Sequence, residues 1–475
     1  MDSNYFRKLI SSVLPGLNTN IVRFITCGVK PVARNHFLRI SGAAILTMLA
    51  LPSLSTAYAA NVKIVINQSP WLDGFKKTVE KYNHDTGNNV SIDAVPYGGL
   101  LDKIRSSVRA KEGVYDITMI DINWLGEFYG GGFLTPIKSI EADYRLPQQV
   151  LTFGDALYWD NARKVFNKQS GDLYTFPVTA NPQLFYYRKD IYQKAGLTPP
   201  KTWEELTENT KKLHQPPRQY GFLIRGGPQD IVFDISPFLL SAGGGIFKDP
   251  REGDFNIILN SPETLRGLKY YIAIAKAGYS NPGALTQGEL IQLFATGKAA
   301  QANIVAAARG PLSNPDSSIV TDKYGVTVIP HPAGAKGVYA AGHWVGGIPQ
   351  NIPAANKQAA LDFFKWYEEQ ANQVYLYESG GVPVRSDLVG VAKDPLNFLP
   401  ALTEATAEAQ IISPVKESAQ INALLGLQLY KALSGEQSAE KALNTAAHQV
   451  YQLLSAAGYQ TQLPPDLPDD AASKG

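Results

Sequence analysis

Between residues 61 and 122 the chain alternates two hydrophobic periods. Val62 to Ile66 is a short apolar run that reads as a strand. Leu72, Phe75, Val79 and Tyr82 follow at spacings of three and four, which predicts a helix with one apolar face. Val90 to Val95 alternates like a half-buried strand, Leu101, Ile104 and Val108 return to helical spacing, and Tyr115 to Ile120 gives a third strand. A βαβαβ order predicts an open, mostly parallel sheet with helices on both faces.

The pattern resumes near Thr175–Thr179, and Leu184 to Tyr187 reads as a strand. A helix should open at Trp203: Pro199 and Pro200 stop the preceding segment, Thr202 is placed to cap, and Glu205 stands where a capping box needs it. Ser261 and Pro262 open another helix, with Leu265, Leu268, Ile272 and Ala275 on one face. Residues 324–329 predict a strand, 357–375 a single helix, and 401–458 a mostly helical tail. The expected class is α/β, in two lobes.

Composition agrees with a large globular body. The 475 residues are 44% hydrophobic and 18% charged, which supplies real cores and excludes extended disorder. Apolar runs of about 20 residues do not recur, which excludes a polytopic membrane protein. Charge is uneven: residues 1–59 hold six Lys and Arg against Asp2 alone, while the remainder is mildly acidic, with 38 basic and 41 acidic residues. Without basic runs the body has no electrostatic footprint for nucleic acid.

The first 59 residues read as a cleaved export signal. Arg34 to Arg39 precede a short apolar stretch from Ile40 to Leu51, and Ala57-Tyr58-Ala59 matches the small-x-small site of a signal peptidase. Arg34-Asn35 resembles a twin-arginine signal with its second Arg replaced, so the general secretory route stands beside that one. The single Cys27 lies in this segment, which leaves a body without cysteine, expected in the periplasm.

Catalytic and metal motifs are lacking. No G-x-x-x-x-G-K-[ST], H-E-x-x-H, G-x-S-x-G or C-x-x-C occurs, Gly243-Gly244-Gly245 reads as a loop, and the six His form no i, i+4 pair. No cofactor and no metal is expected. Trp71, Trp124 and Trp344 instead stand beside predicted strand ends, where open α/β sheets bind ligands. Aromatic faces with single polar groups suit a sugar, which has apolar faces and a rim of hydroxyls.

Several motifs in order then resemble the family-1 extracellular solute-binding proteins of bacterial ABC sugar importers, the maltose- and trehalose-binding-like group. They are Tyr115 to Phe128 with Gly131 to Pro136, Phe185 to Asp190 with Ala195-Gly196-Leu197, Pro200 to Leu206, Phe294 to Ala300, and Gly380 to Arg385. The resemblance implies a type II periplasmic binding protein fold, two lobes of mostly parallel sheet flanked by helices and joined by three crossings. The N-lobe would span 61–176 plus 347–385 and the C-lobe 179–345 plus 386–475. It implies no enzyme but a carbohydrate receptor, a monomer delivering its ligand to inner-membrane permease subunits with their ATPase. Oligosaccharide, disaccharide, monosaccharide and polyol all remain open.

The expected ligand-binding residues are Trp71, Tyr97, Asp121, Asn181, Asn303, Trp344, Gly346 and Arg385. Asp121 and Arg385 are expected as a polar pair reaching the ligand, and His343 either enters the cleft or fills a loop. Asn303 follows Gly297 to Ala300 where maltose-type relatives often carry an aromatic, which leaves room for a smaller, more polar ligand. A glycerol phosphate or other phosphorylated polyol held by Arg385 is the alternative. Ferric iron on Tyr186-Tyr187 is disfavoured because strand neighbours face opposite ways. A glycoside-processing enzyme would need two carboxylates across the cleft, such as Asp121 and Asp234.

Overall fold

The computed structural model describes residues 60–468; the expected signal segment and its Cys27 lie outside them. Strand β1 (Asn61–Asn67), helix α1 (Leu72–Thr86), β2 (Asn89–Val95), α2 (Tyr97–Arg109) and β3 (Ile117–Asp121) form the βαβαβ unit that the periodicity predicts. β1 pairs in parallel with both β2 and β3. α1 turns Leu72, Phe75, Val79 and Tyr82 into the core. All five residues of β3 are buried, as a strand covered on both faces requires.

The chain then crosses to a second sheet and back. β4 (Thr175–Thr179) is followed at once by β5 (Gln183–Arg188), then α3 (Trp203–Leu213), α4 (Ile231–Ser241), α5 (Pro262–Gly278), β6 (Gln301–Val305), β7 (Tyr324–Thr327) and β8 (Trp344–Gly347). The first sheet has the order β2-β1-β3-β8-β4 and the second β6-β5-β7.

The sheets are less parallel than expected. β8 runs antiparallel to β3 and β4, and β5 runs antiparallel to β6 and β7. The strand by which the chain enters each lobe, β8 in the first sheet and β5 in the second, is the one that opposes its neighbours. The caps behave as read: Thr202 and Glu205 form the capping box of α3, and the Ser261 hydroxyl caps α5.

The helix expected over 357–375 is two, α6 (Ala354–Tyr367) and α7 (Gln370–Glu378). Glu369 is extended at the break, and the side-chain amides of Asn372 and Gln373 donate to the freed carbonyls of Trp366 (2.7 Å) and Tyr367 (2.8 Å). Amides that satisfy the end of one helix let the next begin immediately. The tail supplies α8 (Phe398–Ala407), α9 (Ser418–Ser434) and α10 (Ala439–Ala456).

Two of the crossing segments are tied together by His343. Its Nδ1 accepts a hydrogen bond from the Asn181 backbone N–H at 2.9 Å, its carbonyl accepts from Ile122, and its ring stacks on Phe153 with centroids 4.1 Å apart. The segments approach so closely that a Cβ on Gly342 would lie 2.6 Å from the Asn181 carbonyl oxygen. His343 therefore fills the interior of the hinge rather than entering the cleft.

Burial depresses the His343 imidazole from 6.5 to about 3. The unfolded ring takes up a proton below pH 6.5 and the folded one resists, so stability is lost as pH falls through that value. Between pH 7 and 5 the unfolding free energy of the native protein should fall by about 2 kcal/mol relative to that of His343→Asn. Urea unfolding at both pH values checks this; equal pH responses would contradict a buried neutral ring.

Candidate functional site

Three parallel strands deliver the first wall of a cleft cavity of about 290 Å³. Asn67 ends β1, with Gln68 and Ser69 after it; Tyr97 follows β2; Asp121 ends β3. Carboxyl ends of parallel strands gather loops at one edge of the sheet, which explains the convergence. Trp344, the first residue of β8, pairs directly with Asp121 and lines the same wall.

Asp121 is nearly buried and fully engaged. Its Oδ1 accepts from the Asn123 backbone (2.9 Å) and side-chain amide (2.8 Å), and its Oδ2 accepts from the Tyr97 hydroxyl (3.2 Å). Burial raises its carboxyl above the usual range, with these bonds opposing. Around it lies an aromatic cluster: the Trp344 ring sits 6.1 Å from Tyr97, 5.8 Å from Trp124 and 6.3 Å from Trp71.

The opposite wall comes from residues outside the expected binding set, of which the sequence reading named only Asp234, as a candidate hydrolytic carboxylate. Arg225 ends an extended segment that pairs with β6 through Leu223 and Ala302. Its guanidinium is bridged to Asp230 and Asp234, each at 2.6 Å, at the start of α4. Gln229, Phe233 and Asn422 of α9 complete this side, and Asn181 lies between the walls. An arginine followed five and nine residues later by aspartates at a helix start was the one available signal. Burial pushes the Asp234 carboxyl up to about 6, with Arg225 acting in the opposite direction.

Of the eight expected residues, Tyr97, Asp121, Asn181 and Trp344 line the cavity, and four do not. Trp71 is buried behind Trp344, edge-on to Phe75. Asn303 is buried in β6, two residues short of Val305, which does line the cavity. Gly346 lies under α6, where a Cβ would meet the Phe364 ring at 2.2 Å.

Arg385 requires the largest correction. It forms no pair with Asp121; its Nε and Nη2 bind Asp387 at 2.8 and 2.6 Å, and its Nη1 donates to the Glu368 carbonyl. A carboxylate two residues away captures the fork that was expected to reach a ligand. Among the described residues no group of three or more His, Cys, Asp and Glu could hold a metal, and no helix is long and apolar enough to cross a membrane.

Two sheets facing each other across a polar, aromatic-walled cleft define a two-lobed periplasmic binding protein fold. The sequence profile of the family described as "Bacterial extracellular solute-binding protein" matches residues 68–374, and the chain belongs to that family. A mannitol-binding protein of Pseudomonas aeruginosa is 28% identical over 290 residues, 60% of this chain and 63% of that one, so under two thirds of that relative is matched. A solute-binding protein of Agrobacterium radiobacter in complex with ribitol has a TM-score of 0.70 at 24% identity, covering 83% of this chain and 98% of that one; it carries the fold. One from Thermotoga lettingae bound with α-D-tagatose has a TM-score of 0.69 at 25% identity, covering 83% and 100%.

Arg385→Gln should lower stability by about 1–3 kcal/mol, since a nearly buried charge-assisted pair is broken, and leave the cavity wall intact. Urea unfolding, with Trp fluorescence as the check on the wall, measures both; unchanged stability would refute the structural role.

Proposed function

We propose that this protein captures a polyol or monosaccharide-sized carbohydrate in the interlobe cleft and delivers it unchanged to an ABC permease of the inner membrane. The cavity wall carries this reading. At about 290 Å³ it lies at the small end of ligand sites, too small for a long oligosaccharide. The buried side-chain oxygens of Asn67 and Asn422, on opposite walls, have no protein partner, and a desolvated acceptor of this kind favours a ligand hydroxyl. Trp344 and Tyr97 add apolar faces beside them.

The relatives named for mannitol, ribitol and tagatose support the same ligand class. Charge weighs against a phosphorylated polyol, because Arg385 is away from the cavity and Arg225 already holds two carboxylates. Hydrolytic work is disfavoured on similar grounds: Asp234 is committed to Arg225, and Asp121 accepts three hydrogen bonds.

The lobes we assign follow those expected from the sequence with one shift: because β8 (Trp344–Gly347) pairs within the first sheet, the return crossing is drawn just before Trp344, giving 61–176 plus 344–385 and 179–343 plus 386–475 in place of 61–176 plus 347–385 and 179–345 plus 386–475. We further assign residues 1–59 as a removed export signal and the mature chain as a periplasmic monomer without cofactor. A ligand touching both walls favours the closed form only by its preference for that form.

Differential scanning against a panel of hexitols, pentitols, monosaccharides and maltodextrins tests the reading. Polyols or monosaccharides should raise the melting midpoint with concentration, as only a binder of the folded state can. Trp344→Ala should weaken that ligand about tenfold or more, a loss of some 1.4 kcal/mol, and remove its fluorescence change. Stabilisation by maltodextrins alone would overturn the size assignment.

A further inference from the structure

The second wall of the cavity carries an arginine whose charge is already matched. Arg225 is 8% exposed, and its Nη1 and Nη2 bind Asp230 and Asp234. Its backbone N–H also donates to Asp234 at 3.3 Å, and the Tyr271 hydroxyl donates to its carbonyl. Asp230 stands at the N-cap of α4 and Asp234 one turn in, joined by the helical bond from Asp234 N–H to the Asp230 carbonyl at 3.1 Å. One helix therefore fixes both carboxylates.

Among the described residues lining the cavity Arg225 is the one cation, facing Asp121 and Asp230, with Asp234 fully buried behind it. A guanidinium has five N–H donors, and the two ion pairs occupy two of them. The others remain good donors to a hydroxyl oxygen, but the site as a whole offers an anion no net attraction.

We propose that this carboxylate-matched arginine is a charge filter: the cleft accepts uncharged polyhydroxyl compounds and rejects their acid and phosphate forms, and Asp230 is the residue that decides it. The accepting half rests on the carbohydrate reading above; the rejecting half rests on the triad alone. Asp230 is the tunable member because its side chain is 36% exposed, whereas Asp234 is completely buried and holds the local backbone. An anion entering the wild-type cleft meets two carboxylates before it gains Arg225. With Asp230 neutral, one face of the guanidinium is released as an ordinary anion site.

The test uses the mature protein, Asp230→Asn and the double variant Asp230→Asn/Arg225→Gln, with a hexitol, its matched hexonate and inorganic phosphate as probes in thermal shift and calorimetry. The wild type should be stabilised by the hexitol and not by the hexonate or phosphate. Asp230→Asn should gain hexonate and phosphate binding by about tenfold or more, and the double variant should lose it. Asp230→Ser, small and polar at a helix N-cap, replaces the amide variant should that fail to fold. A wild type that binds hexonate as tightly as hexitol overturns the filter, as does an Asp230→Asn protein that stays blind to phosphate. A wild type indifferent to every neutral sugar overturns the carbohydrate reading instead, and the phosphate arm then decides the filter by itself.

Discussion

The cleft depends on one strand held in a sheet to which it returns from the other lobe. Trp344–Gly347 lies between β3 and β4 and pairs antiparallel with both. That register sets Trp344 opposite Asp121 on one side and Thr179 on the other, with an irregularity after Trp344 on the β4 side. Gly346 makes the insertion possible. Without a Cβ there, the Phe364 ring packs on the strand and stacks on Phe176, centroids 4.4 Å apart. A larger residue would push α6 away and shift the strand that carries the cavity-lining indole of Trp344.

From that anchor the two walls acquire different characters. The first is rigid through aromatic packing: Trp71 and Trp124 brace Trp344, and Tyr97 stacks on Trp124 at 5.2 Å. The second is rigid through charge, since Arg225 and Asp234 are both withdrawn from water and must satisfy each other. Such a pair adds little net stability, because desolvation offsets most of the attraction, but it fixes where the donors point. A donor held in place loses little freedom when a ligand arrives.

The hinge joins these walls with few groups. Asn181 uses its backbone N–H on His343 and its side-chain oxygen on the Ala307 backbone, so one residue ties both crossing segments to the end of β6. A neutral, stacked imidazole suits that position, because it bonds without bringing a charge into the interior. Lobe motion about such a joint needs only small backbone changes at the crossings.

The sequence by itself determined the elements of the first lobe, the caps at Thr202 and Ser261, and the family, because helical and strand periods and cap chemistry act between near neighbours. It also placed Tyr97, Asp121, Asn181 and Trp344, which stand at strand ends or crossings. Tertiary structure alone decided the rest. Gly346 and Asn303 sit in strands whose buried faces are assigned by packing partners far along the chain. Asn67 and Asn422 line one cavity although 355 positions separate them. Arg385 and Arg225 exchanged importance because a guanidinium binds the nearest carboxylates, Asp387 two residues along for the first and the start of α4 for the second, and only the fold decides that the second set faces the cavity.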